Sequence, residues 1–199
     1  EKPLLVFVGN RVTAKTSDAE MTDVEEVIEF KDKFVNRKAK TIERLSAVLN
    51  EDTGMMDGRG AELFSQDFNA LKSLFGGSPK AEDIYTDILR MVFNSDTASE
   101  EPCLHIENIK RVSGEIGLKI GKYGEYFGVI SIGNTAGLVK NCDKKGIVAK
   151  TEEFISESLF RNINNAASNI KVLVGSRKFT EGWNSWRVST MGPGNRLII

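Results

Sequence analysis

Residues 170–192 read IKVLVGSRKFTEGWNSWRVSTMG, and this stretch decides the fold class. Its first five residues are mostly β-branched residues and leucine, which predicts a short buried strand. Gly175 and Ser176 stand where that strand would end, and cations follow them. In open α/β sheets, ligands bind in the crevice outside the carboxyl ends of the strands. The stretch therefore predicts a phosphate or nucleotide site directly after a parallel strand.

The rest of the chain supplies strands and helices in alternation. The apolar run LLVFV, residues 4–8, predicts a central parallel strand that is covered on both faces. One long helix or two broken helices are expected over residues 23–49, with Asp23 as the N-terminal cap. Helical spacing of apolar residues predicts further helices near residues 64–75, 79–93, 135–141 and 154–163. Apolar runs predict two more strands over residues 126–132 and 188–191.

The middle of the chain has a different character. Residues 103–110 and 115–121 flank a Val-Ser-Gly turn and predict a β-hairpin. Ile116, Leu118 and Ile120 alternate with polar residues or glycine, which predicts one buried face. Residues 50–60, NEDTGMMDGRG, predict a loop, and residues 94–102 predict a linker. We therefore expect an α/β domain with a mostly parallel sheet, helices on both faces, and a helical and hairpin insertion over about residues 50–125.

Composition excludes several classes of protein. The 199 residues carry a net charge of -1, so any contact with nucleic acid must come from a local basic patch. No apolar run is long enough to span a bilayer, and no signal peptide is visible. Cys103 and Cys142 lack the paired spacing of a metal or redox site, which is typical of reduced thiols in a cytoplasmic protein. Because the chain begins at Glu1 and ends on an apolar run, we expect it to belong to a longer protein.

Three segments resemble one protein family. FTEGWNSWRVSTMG, residues 179–192, is similar to helicase motif V in the ATP-dependent helicases that include the Res subunits of type III restriction enzymes. KPLLVFVG, residues 2–9, resembles the motif IV strand, and FGVISIG, residues 127–133, resembles an internal strand of that family. These proteins belong to the DEAD/DEAH-type helicases, whose motor consists of two RecA-like domains. The resemblance implies that residues 1–199 form the second RecA-like domain.

The resemblance also implies roles for the residues of motif V. The nucleic-acid-binding residues would be Ser176, Arg177, Lys178, Thr180 and Arg187. The nucleotide-binding residues would be Glu181, Gly182 and Asn184. A hydroxyl and backbone N–H groups hold a phosphate without reading sequence, and cations neutralise it. Asn184 stands where the family often has an acid, so it keeps hydrogen bonding but loses charge.

Several residues have an ordinary structural alternative. Trp183 and Trp186 are more typical of core or interface anchors than of base-stacking platforms, and Arg187 could pair with Glu181. His105, the only histidine, alternates with apolar residues and has no partner motif for general-base chemistry. Residues 133–137, GNTAG, lack a P-loop ending and predict a turn and helix cap.

Charged residues outside motif V also have an ordinary interpretation. Five cations are expected to form a charged helix face, with a DNA contact as the second interpretation: Lys31, Lys33, Arg37, Lys38 and Lys40. Asp52, Asp57 and Arg59, in the glycine-rich loop, are expected to be solvated.

The sequence contains no P-loop, no DExH-like motif and no Gln-x-x-Gly-Arg-x-x-Arg motif. Catalytic residues are therefore incomplete in this chain, and ATP and Mg²⁺ would be held mainly by a first RecA-like domain of the same protein. The other expected partners are DNA, or alternatively RNA, and a methyltransferase or specificity subunit, with no membrane partner. The alternative function is a non-catalytic module that binds nucleic acid or protein on a RecA-like scaffold.

Overall fold

A computed structural model describes residues 2–9, 22–96, 102–109, 111–152, 157–176 and 183–193. These residues contain the strands β1 Leu4–Gly9, β2 Leu104–Ile109, β3 Glu115–Ile120, β4 Tyr126–Ser131, β5 Val148–Glu152, β6 Val172–Ser176 and β7 Val188–Pro193. They also contain the helices α1 Asp23–Asn36, α2 Lys38–Leu49, α3 Asn69–Leu74, α4 Ala81–Phe93 and α5 Thr135–Lys144, and a 3₁₀ turn at Arg161–Asn164.

The seven strands form one sheet in the order β5-β2-β3-β4-β6-β1-β7. Only β3 runs antiparallel to its neighbours, β2 and β4, and the other pairings are parallel. The expected α/β class and mostly parallel sheet are therefore confirmed. The predicted β-hairpin is β2 and β3, and it lies within this same sheet.

One face of the sheet carries the main hydrophobic core. Helices α1, α4 and α5 bury apolar side chains against this face, and α2 adds partly buried residues. The largest contributions from the helices are Val27, Ile28, Tyr85, Leu89 and Phe93. Each was expected from helical spacing except Tyr85, whose hydroxyl donates a hydrogen bond to the carbonyl of Val35 at 3.1 Å. A buried tyrosine needs such a partner.

The opposite face carries a smaller core. Leu4, Val6, Val129 and Leu173 point from the strands into this second cluster, and Ile163 from the 3₁₀ turn covers them. Sequence reasoning placed helices on both faces. In the part of the chain that the structure describes, the second face is covered instead by this 3₁₀ turn and by partly buried residues near Trp183.

Of the two alternatives for residues 23–49, one long helix or two broken helices, the structure has two helices, α1 and α2. The N-terminal cap is Thr22, one residue before the expected Asp23, and it forms a capping box with Glu25. The Thr22 hydroxyl accepts from the Glu25 N–H at 3.2 Å, and the Glu25 carboxylate accepts from the Thr22 N–H at 3.1 Å. This arrangement satisfies two N–H groups that the first helical turn leaves without intrahelical partners.

Sequence reasoning missed one element between residues 145 and 164 and assigned another wrongly. Strand β5 was not expected, and the described part of the helix predicted over residues 154–163 contains a 3₁₀ turn at Arg161–Asn164 instead of a regular helix. The Glu115 carboxylate accepts hydrogen bonds from the Ser158 hydroxyl and from the Phe160 N–H, which draws this segment against β3. These contacts between segments distant in sequence outweigh the helical spacing of the apolar residues. The first three residues of the predicted helix, 154–156, lie outside the described residues.

The insertion is helical over a shorter stretch than expected. Of residues 64–75 only α3, six residues long, is helical, and it buries none of its side chains. Leu74 is 83% exposed. Residues 50–60 form the predicted loop, which a single bridge between Met56 and Glu62 closes.

Candidate functional site

The predicted site lies at the carboxyl edge of the parallel strands. In the ladders at this edge Gly9 of β1 lies opposite Ser176 of β6, and Ser131 of β4 lies opposite Gly175. The strand that resembles motif IV and the strand that precedes the motif V segment therefore end side by side. Both strands are apolar and central, so packing on two faces fixes their ends relative to each other.

The connections of the strands make a crevice at this edge. β4 and β6 are neighbours in the sheet. The chain continues from β4 through α5 to β5 at one end of the sheet, and from β6 past β1 to β7 at the opposite end. Neighbouring strands whose connections depart in opposite directions define a topological switch point, where α/β sheets bind ligands. The switch point here lies between Ser131 and Ser176.

The turn after β4 contributes a capped helix terminus to this edge. Asn134 is the N-cap of α5, and its side-chain oxygen accepts from the Gly137 N–H at 3.1 Å. The interpretation of residues 133–137 as a turn and helix cap is confirmed. Because the cap already occupies one N–H group, this terminus offers a phosphate fewer donors than an uncapped helix does.

The structure separates the predicted motif V residues into two groups. Ser176 ends β6 at the carboxyl edge. The predicted residues Arg177, Lys178, Thr180, Glu181 and Gly182 lie outside the described residues. Asn184 and Arg187 precede β7, whose first residue Val188 lies beside Leu4 at the amino edge of the sheet. A strand of five residues is about 16 Å long, so Arg187 and Ser176 do not share one site.

Arg187 joins three segments at the amino edge. Its guanidinium donates hydrogen bonds to the backbone carbonyls of Lys2, Ile163 and Ile170. The Ser185 hydroxyl accepts from the Arg187 N–H at 3.2 Å. These bonds connect the starts of β1 and β6 with the 3₁₀ turn, so they give Arg187 a structural role. A phosphate contact by Arg187 stays a prediction.

Three residues that precede Arg187 in the sequence, Trp183, Asn184 and Trp186, differ in their exposure. Asn184 is exposed, and its carbonyl accepts from the side chain of Asn164 at 3.3 Å. Trp183 packs against Phe160 with ring centroids 6.0 Å apart, which confirms the core interpretation for this tryptophan. Trp186 is 88% exposed. An exposed tryptophan is available to a partner or to a nucleic-acid base.

A polar cluster on the second face was missed by sequence reasoning. The Lys119 Nζ lies 2.9 Å from a carboxylate oxygen of Glu107, and both side chains are less than 9% exposed. The Tyr126 hydroxyl donates to Glu107 at 2.7 Å, and its ring centroid lies 5.4 Å from the Lys119 Nζ. His105, also buried, lies opposite Lys119 in the β2–β3 ladder. The expectation of one buried face for this hairpin is therefore wrong.

Gly117 allows this cluster to form. It lies opposite Glu107, and a Cβ built on it would come 2.4 Å from the Tyr126 ring. The absence of a side chain therefore lets the ring lie flat on β3 and reach Glu107. In the sequence, the glycine between Glu115 and Lys119 is the signal that points to such a close approach.

One member of the predicted charged helix face is buried. Lys31 is 3% exposed, and its Nζ lies 4.7 Å from the ring centroid of Phe7 and 5.8 Å from that of Phe93. Burial lowers the pKa of Lys31 to about 8. The expectation of a solvated Lys31 is wrong, because α1 packs this side of its surface against β1 and α4. Lys33, Arg37, Lys38 and Lys40 are exposed as expected.

The two thiols are free, with Cys142 buried and Cys103 partly buried. Burial raises the pKa of Cys142 to about 12, with a smaller contribution from the nearby Glu25 carboxylate. Burial also raises the pKa of Cys103. Because the thiolate is the nucleophile, neither side chain is activated at neutral pH.

Within the described ranges, no group of three or more His, Cys, Asp and Glu side chains is arranged to hold a metal ion. In the same ranges no helix combines the length and the apolar composition that crossing a membrane requires. No family model, no curated protein and no solved structure matches the chain.

Proposed function

We propose that this chain is the second RecA-like domain of an ATP-dependent DNA helicase or translocase that resembles the type III restriction helicases. The observation that carries the proposal is the adjacency of β1 and β6, with Gly9 opposite Ser176 next to the topological switch point between β4 and β6. The strand that resembles motif IV and the strand that leads into the motif V segment are far apart in sequence, yet their carboxyl ends are neighbours. The domain would act in the cytoplasm, in a restriction or phage-defence system.

In this proposal the carboxyl edge grips the nucleic-acid backbone. The Ser176 hydroxyl and nearby backbone N–H groups would hold one phosphate, and Arg177, Lys178 and Thr180 would contact its neighbours. Gly182 would allow the backbone to approach the nucleotide, with Glu181 beside it. ATP and Mg²⁺ would be held mainly by the first domain, so this chain alone would not hydrolyse ATP.

DNA-stimulated ATP hydrolysis by the complete motor tests the proposal. We expect Ser176→Ala and Gly182→Ala to abolish most of the DNA stimulation while circular dichroism and the melting temperature stay unchanged. Ser113→Ala, in the exposed turn of the hairpin, is the matched control and should keep the parent activity. Parent-level stimulation in both site variants would contradict the proposal.

The alternative proposal is a non-catalytic binding module on the same scaffold. Asn184 in place of an acid and the structural bonds of Arg187 favour it. The two proposals differ in one outcome. DNA binding with a steep salt dependence, together with no ATP hydrolysis when a first motor domain is supplied, would favour the binding module.

A further inference from the structure

A groove lies between α1 and α2. Its volume is about 900 Å³, and the loop around Met55 and Phe64 closes one side. Small-molecule sites typically occupy about 300–1,000 Å³, so this groove is at the upper end of that range. It shares no residue with the motif V site, so the inference below is independent of the proposed function.

The break between the two helices creates the groove. α1 ends at Asn36, and Arg37 has the non-helical angles φ -111 and ψ 51. The Thr41 hydroxyl donates to the Phe34 carbonyl at 3.0 Å, which fixes the bend. One stripe of each helix then lines the groove, because residues three and four apart share a helix face.

The rim of the groove is cationic. Lys33, Arg37, Lys40 and Arg44 line it, together with the carboxylates of Glu26 and Glu29. Lys33 pairs with Glu29 at 2.9 Å. Among the described residues, the other three cations form no ion pair. The rim therefore has an excess of positive charge, which attracts an anion.

The floor of the groove is apolar and suits an aliphatic chain. Phe30, Phe34, Leu45, Val48 and Phe64 line it. A nucleic-acid base would need an open ring face on which to stack. The Phe34 ring already packs against two other rings, so it offers a base less open surface.

Two aromatic residues of α4 pack against the Phe34 ring. Its centroid lies 5.7 Å from that of Tyr85 and 5.6 Å from that of Phe93, at interplanar angles of 28° and 12°. These contacts take up ring surface on which a base could otherwise stack. An alkyl chain packs on an apolar floor without needing an open ring face.

We propose that the groove binds an amphipathic anion, an unbranched alkyl chain with a carboxylate or phosphate head. The chain lies on the floor between Leu45 and Phe64, and the head contacts Arg37, Lys40 and Arg44. Burial of the alkyl chain supplies most of the affinity, and the three cations select the sign of the head group.

The test is isothermal titration calorimetry of the full chain with monomeric dodecyl phosphate. We expect saturable binding with one site per chain. Inorganic phosphate alone should show no measurable binding, and dodecyltrimethylammonium should bind at least about tenfold more weakly, a difference of about 1.4 kcal/mol. Equal affinity for the cationic amphiphile, or no saturable binding, would overturn the proposal.

Variants locate the site. Arg37→Gln with Lys40→Gln should weaken dodecyl phosphate binding by about tenfold, and Leu45→Asp should abolish it, with the melting temperature checked for each variant. Lys38→Gln is the matched control, since Lys38 is exposed on α2 but does not line the groove. An equal loss in the Lys38→Gln variant would assign the effect to net charge and overturn the proposed site.

The same titration distinguishes two other possible occupants of the groove, a membrane surface and a protein partner. Binding only to vesicles of anionic phospholipid, and not to monomeric dodecyl phosphate, would indicate adsorption to a membrane surface. Tighter binding of an acidic amphipathic helical peptide that displaces dodecyl phosphate would indicate a protein partner. Either result would overturn the proposed small ligand.

Discussion

Lys31 is a cation buried among aromatic rings, and its proton links stability to pH. Its pKa falls from 10.5 to about 8 in the folded chain because burial disfavours the charged form. Between these two values the unfolded chain keeps the proton that the folded chain releases. The free energy of unfolding therefore rises with pH across this window. The stability gained by releasing the Lys31 proton is lost again as the pH falls through about 8.

Replacing Lys31 with methionine should remove this dependence. At pH 7 we expect the Lys31→Met variant to be more stable than the parent by up to about 3 kcal/mol, and this difference should shrink toward pH 10.5. Urea unfolding at both pH values measures it, with the exposed Lys38→Met as control. A difference that stays constant with pH would show that packing, and not the proton, causes the change.

The buried Glu107–Lys119 ion pair leads to a second prediction, on the stability of single-residue variants. Lys119→Met leaves the Glu107 carboxylate buried without its cation, which should lower the free energy of unfolding by about 3–5 kcal/mol. Adding Glu107→Gln should recover at least about 2 kcal/mol of that loss, since a buried charge is then removed. The exposed pair Lys33–Glu29 is the control, and Lys33→Met should change stability by less than about 0.5 kcal/mol. Equal losses in the single and double variants would contradict the ionic explanation.

At the scale of elements, the capping box fixes where α1 begins. Thr22→Ala removes a bond to the Glu25 N–H and should lower the free energy of unfolding by about 1 kcal/mol. The control is Thr86→Ala, in the exposed middle of α4, where the hydroxyl bonds only the Glu82 carbonyl. That control should change stability by about 0.5 kcal/mol or less. Equal effects of both substitutions in chemical denaturation would argue against the cap.

Elements with strong local patterns could be predicted from the sequence. The strands around Val6 and Leu173 are continuous apolar runs, and α4 has apolar residues on one face, so each was found within a few residues. Strand β5 is a short edge strand that depends on its pairing with β2. The turn near Ile163 is held by Glu115, which lies far away in sequence. Such long-range contacts leave no periodic signal.

The candidate site could be predicted only in part. The carboxyl end of β6 was located from Gly175 and Ser176, because small residues after an apolar run mark a strand end. The role of Arg187 could not be foreseen, because its three carbonyl partners come from β1 and from the segments around Ile163 and Ile170. The Glu107–Lys119 cluster was hidden by an alternation that is typical of a solvated face.

At the scale of the whole molecule, the sheet brings distant segments to one edge. β1 begins the chain and β6 lies near its end, yet parallel pairing aligns Gly9 with Ser176. The net charge of -1 gives no attraction for DNA at long range, so binding must depend on the cations after β6. The central claim is therefore that this edge contacts a phosphate backbone.

Equilibrium binding of the chain to a DNA duplex, measured by fluorescence anisotropy from about 50 to 200 mM salt, tests this claim most directly. We expect the logarithm of the binding constant to fall linearly with the logarithm of the salt concentration. Arg177→Gln with Lys178→Gln should reduce the slope by about 2, one for each phosphate contact removed, whereas Lys38→Gln should leave it unchanged. Binding that is absent, or a slope that the double variant does not change, would contradict the account.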